Sequence, residues 1–71
     1  MTTYTIRYCH DDNCTPGTLE IEAASDAAAV EALRKFVRDG FRNQTWAMVD
    51  LGDGQIYGAH NSHGEVKGGY R

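Results

Sequence analysis

Between Ser25 and Asp39 the apolar residues recur at spacings of three and four, whereas in the flanking segments they alternate at two. That contrast allows one helix and leaves the rest of the chain to strands and turns. Ala29, Val30, Leu33, Phe36 and Val37 share one side of the helical run, and Glu31, Arg34, Lys35 and Arg38 fall mostly on the other. One helix face is therefore committed to a sheet. Ser25 supplies an N-cap hydroxyl, Asp26 an acid in the positive first turn, and Ala27 to Ala29 the best helix former. Gly40 suits the left-handed position just past a helix end, and Phe41 is placed to pack back on Phe36, so the helix is expected to stop near Asp39.

Tyr4, Ile6 and Tyr8 alternate with Thr5, Arg7 and Cys9, which predicts a first strand with one buried face. His10 to Gly17 collects turn-forming residues. Leu19, Ile21 and Ala23 then alternate with Thr18, Glu20 and Glu22, a second strand with an acidic outer face that lets Arg7 lie across from a glutamate. Thr45 to Leu51 and Gln55 to His60 read as third and fourth strands around Asp53-Gly54, a strong signal for a type I′ hairpin turn. Asn61 to Gly64 reads as a further turn, Glu65 to Lys67 as a short fifth strand, and Gly68-Gly69 as a flexible tail tethered by Tyr70. The expected fold is α+β, one helix packed on an antiparallel sheet of four to five strands in the order β-β-α-β-β-(β), in a single domain spanning 1–71. Seventy-one residues leave room for one thin core, since a chain this short buries only about 60% of its unfolded surface.

Taking Asp53-Gly54 as the turn pairs Leu51 with Ile56 and Asp50 with Tyr57. Leu51, Val49, Ala47 and Ile56 are then expected against the helix, and Trp46, Met48, Asp50 and Tyr57 on the outer face. A register shift of one residue exchanges the two faces.

Ten Asp and Glu against seven Lys and Arg leave the chain mildly acidic, without the basic footprint by which nucleic-acid binders neutralise phosphates. Arg34, Lys35, Arg38 and Arg42 cluster around the helix C-terminus, where cations oppose the helix dipole. No apolar run approaches the roughly 20 residues of a membrane span, and the amino terminus lacks a signal-peptide pattern, so a cytoplasmic protein with reduced cysteines is expected.

Cys9 and Cys14 with His60 and His63 make up the inventory of a structural zinc site, and the topology sends both pairs to the same end of the sheet. Their spacings, Cys-x4-Cys and His-x2-His, sit at or beyond the usual limits, so no cofactor is expected and zinc on these four residues is the alternative. A catalytic cysteine near a histidine and an aspartate lacks any flanking motif or oxyanion-binding turn, and no phosphate-binding or calcium-binding pattern occurs. The chain is expected not to be an enzyme.

The surface that remains is Trp46, Met48 and Tyr57, with Arg7 and Tyr70 beside them. Residues of these types are enriched at protein interfaces. A second copy of the chain covering the same patch is the other use for it.

Leu19-Glu20-Ile21-Glu22-Ala23-Ala24-Ser25 running into an alanine-rich helix, followed by short strands joined at Asp53-Gly54 and His63-Gly64, resembles the anti-CRISPR proteins of phages and mobile elements in size and layout. That resemblance implies a non-enzymatic inhibitor or adaptor that blocks a CRISPR-Cas complex by steric occlusion in the host cytoplasm. It also implies that Asp11, Asp12, Glu20, Glu22 and Asp50 face a basic nucleic-acid channel on the partner. The alternative is a small zinc-stabilised or nucleic-acid-binding regulator using the cysteine and histidine end together with Arg34, Lys35, Arg38 and Arg42.

Overall fold

The structure, a computed structural model, describes residues 1–9, 16–39, 45–62 and 65–71. Along the chain run β1 (Thr2–Cys9), β2 (Gly17–Ala23), α1 (Asp26–Asp39), β3 (Trp46–Gly52), β4 (Gln55–Ser62) and β5 (Glu65–Tyr70). The strands form one sheet in the order β2-β1-β3-β4-β5, antiparallel at every junction, with α1 packed on one face. This is the expected α+β fold.

The helix begins as its sequence dictates. Ser25 Oγ accepts from the Ala28 backbone N–H at 3.2 Å, satisfying one of the orphan donors of the first turn. Ala29, Val30, Leu33 and Val37 are buried against Tyr4, Ile6, Ala47, Val49, Tyr57 and Ala59 of the sheet. Phe36 is only half-buried and packs its ring on Tyr8, centroids 5.3 Å apart. Gly40 and Phe41, expected to stop the helix, lie outside the described residues.

Asp53 and Gly54 form the hairpin turn, both with positive φ (53° and 77°), and Gly52 pairs with Gln55 as expected. One residue further, the expected register fails. A β-bulge at Leu51, next to Gly52 at φ 85°, puts Asp50 opposite Ile56 and Val49 opposite Tyr57. Because side chains alternate, the extra residue turns β4 over while leaving β3 in place. Tyr57 therefore faces the helix, 4% exposed, and Ile56 takes its expected place on the outer face. Once inside, the Tyr57 hydroxyl accepts from Arg34 Nη1 at 2.6 Å, and Arg34 Nη2 reaches the Val66 carbonyl at 3.4 Å.

Two further expectations change at the C-terminal end. Asn61 and Ser62 extend β4 instead of forming a turn, and Asn61 is buried. Its Nδ2 donates to the Val37 carbonyl at 3.2 Å, so a strand residue satisfies one of the carbonyls orphaned at the helix end. Gly68 and Gly69 are strand residues paired with Ala59 and Gly58, and Arg71 continues the ladder by exchanging two backbone hydrogen bonds with Ile56. Tyr70 sets its ring edge-on against Tyr57, centroids 4.9 Å apart.

Cys9 is disulfide-bonded, and Cys14 is the only other cysteine in the sequence. The expectation of reduced thiols is thereby corrected. It came from an inferred compartment and not from the spacing of the two cysteines, five positions apart in the sequence.

Candidate functional site

The outer face of the sheet is a grid fixed by strand register. In one row Trp46 lies between Cys9 and His60, with Lys67 beyond on β5; in the next, Arg7, Met48, Gly58 and Gly69 stand side by side; in the third, Asp50, Ile56 and Arg71. Successive rows lie two residues apart along the strands, so the outer two are about 13 Å apart. The middle row ends in two glycines. Between the flanking rows the missing side chains leave a groove of about 600 Å³ that runs from Met48 to β5, the edge strand of the sheet.

Trp46 at 36% exposure and the half-buried Met48 and Ile56 supply the apolar walls. His60, Lys67 and Arg71 supply the basic groups, and no Asp or Glu lines the groove among the described residues. Beyond Met48 a second hollow of about 330 Å³ is bordered by Thr3, Thr5, Arg7 and Asp50. Glu20 and Glu22, opposite Thr5 and Thr3, place an acidic margin at the β2 edge of the same face. The face is thus acidic at one edge and basic at the other.

Of the expected partner-binding residues, Trp46, Met48, Arg7, Asp50, Glu20 and Glu22 share this face. Tyr57 does not, for the reason given by the bulge, and Asp11 and Asp12 lie outside the described residues. Arg7 stands across from Thr18, not directly from a glutamate. Ile56, Lys67 and Arg71 went unrecognised in the sequence because the registers of β4 and β5 decide their side. The interrupting glycines, Gly58 and Gly69, were the available signal, since glycine inside a strand often marks close approach of a ligand or another backbone.

The alternative sites lose members. Cys9 and His60 do come to the same end of the sheet, but Trp46 separates them and the Cys9 sulfur is in a disulfide, which removes the thiolate that zinc requires. Cys14 and His63 lie outside the described residues, and no cluster of three or more metal-ligating side chains occurs among the described ones. The same disulfide removes Cys9 as a nucleophile. Arg34 is engaged by Tyr57, which holds its guanidinium pKa above the usual value, so it is not a cation of the helix surface free to meet phosphate. No described helix is long and apolar enough to cross a membrane.

A third hollow, about 380 Å³, runs between α1 and β2 beside Leu19 and Phe36. It lacks both the tryptophan and the glycine floor. None of the protein-family models, curated proteins or solved structures compared with this chain matches it.

Proposed function

We propose that this chain is a non-enzymatic binding protein that engages a protein partner through the outer face of its sheet and acts as an inhibitor or adaptor by occluding the partner's surface. The observation that carries this role is the gathering of Trp46, Met48 and Ile56 on the face turned away from the helix, around a groove of about 600 Å³. Large apolar anchors grouped at a hollow are where binding energy concentrates, and a monomer has no folding reason to hold them there.

A CRISPR-Cas complex as the partner, and host cytoplasm as the place, follow from the resemblance in size and layout. Exposed Glu20, Glu22 and Asp50 on the same face suit a basic nucleic-acid channel, steering the encounter and fixing its orientation. In the cytoplasm the Cys9 disulfide would meet a reducing pool that opposes it. Alkylation of the protein as taken from cells, before and after reduction, reads which state it holds.

The test is affinity capture with the wild-type chain, Trp46→Ala and Leu19→Ser in parallel, the fold of each checked by circular dichroism. One partner retained by wild type and Leu19→Ser but lost by Trp46→Ala is expected. Equal retention by Trp46→Ala overturns the choice of surface. For the CRISPR role, expression of the chain should protect a targeted plasmid from interference, and a Trp46→Ala chain should not; failure to protect in every CRISPR-Cas type assayed removes that role.

A further inference from the structure

Gly58 and Gly69 are direct cross-strand partners, and neither is required to be glycine by the fold. Neither is among the positive-φ glycines, a Cβ at Gly69 would meet nothing within 4 Å, and one at Gly58 would meet only the Ala47 carbonyl oxygen at 3.9 Å. Gly68 differs, since a Cβ there would run into the Tyr57 ring. Glycine weakens a strand interior, so two unforced ones side by side mark a place kept clear for something that approaches the backbone.

The chemistry of the surroundings states what that is. Lys67 on β5 and Arg71 just past its end stand in the two outer rows at the sheet edge, while Trp46, Met48 and Ile56 line the interior. The backbones of the two outer rows are about 13 Å apart, and the Trp46 and Ile56 side chains that line the groove from those rows take up part of that width. What is left suits one extended chain with its side chains and falls short of the roughly 10–12 Å of a helix with side chains on every side. We propose that the groove takes an extended, acidic and apolar peptide segment of the partner. An apolar side chain lies over Gly58 and Gly69, and carboxylates on neighbouring residues pair with Lys67 and Arg71 at the sheet edge. The assignment rests on the outer face being the binding surface.

A single nucleic-acid strand could also stack a base on Trp46, but its phosphates would continue past Asp50 on a face margined by Glu20 and Glu22, in a chain of net charge −3. The peptide needs only the basic edge.

The experiment is selection of a display library of random heptapeptides on the immobilised wild-type protein alone, with Gly58→Leu, which fills the groove, kept out of the selection as a test variant. Enriched sequences should carry Asp or Glu flanking a large apolar residue. Such a peptide, made synthetically, should saturably shift the fluorescence of Trp46, the only tryptophan. Its affinity should fall at least about tenfold in Lys67→Glu and more in Gly58→Leu, both still folded by circular dichroism. Enrichment of basic or uncharged sequences that Trp46→Ala loses would overturn the acidic assignment and keep the surface. Peptides bound by Gly58→Leu and Trp46→Ala as tightly as by wild type would overturn both. Saturable binding of an oligothymidine in place of any peptide would overturn the peptide in favour of nucleic acid. Concentration-dependent self-association abolished by Gly58→Leu would assign the groove to a second copy instead.

Discussion

The two faces of the sheet treat their glycines and polar groups in opposite ways. On the helix side, space is filled and polar atoms are paired: Gly68 gives way to the Tyr57 ring, the Tyr57 hydroxyl meets Arg34, Asn61 caps the helix at Val37, and Tyr4 donates to Asp26 Oδ1 at 2.7 Å. On the outer side, adjacent Gly58 and Gly69 leave space open, and Trp46 stands over a third exposed beside it. A thin core with little stability in reserve keeps one face for folding, which implies that the economy of the other face serves something besides stability.

Substitutions on the two faces should therefore separate stability from binding. Leu33 is fully buried, and Leu33→Ala should cost about 2–5 kcal/mol in denaturant unfolding, enough to unfold much of a marginal population. Asn61→Ala leaves the Val37 carbonyl without its partner and should cost about 1–3 kcal/mol by the same measurement.

The sharpest contrast lies between neighbours on β5. Gly68→Ala should destabilise by about 1–3 kcal/mol, because its methyl meets Tyr57. Gly69→Ala should be neutral or gain up to about 1 kcal/mol, because its methyl meets open space. Equal effects would erase the difference between the faces.

The smallest effect is a pH dependence. The hydrogen bond to Asp26 holds the Tyr4 pKa above its usual value, so the folded state is favoured while the phenol keeps its proton, and that favour is lost as pH rises through the raised value. Thermal melts taken from about pH 9 to about pH 11 should show the stability gap between wild type and Tyr4→Phe narrowing. A constant gap would mean that the Tyr4 contact does not titrate with folding.

Most of the fold is legible in local signals: the Ser25 cap, the helical spacing to Val37, the alternation of β1 and β2, and the Asp53-Gly54 turn. The bulge is not. Tyr57, Ala59 and Asn61 look no more apolar than Ile56, Gly58 and His60, so alternation alone cannot choose the buried side of β4. The choice is made by tertiary partners, Arg34 for Tyr57 and the helix end for Asn61, which local sequence does not display. Gly52 ahead of Asp53-Gly54 was the local hint, since a third positive φ beside the turn accompanies the extra residue. Half of the candidate site was legible for the matching reason. Trp46 and Met48 sit on β3, whose phase the bulge leaves intact, whereas Ile56, Lys67 and Arg71 depend on registers set downstream of it.

The most direct measurement is the affinity of a selected heptapeptide for wild type and for Gly58→Leu, taken beside the denaturation midpoint of each. A groove kept open for binding predicts affinity lost more than about tenfold with the midpoint unchanged or raised, a separation of at least 1.4 kcal/mol between the two readouts. Unchanged affinity, or affinity lost only in step with stability, would contradict it.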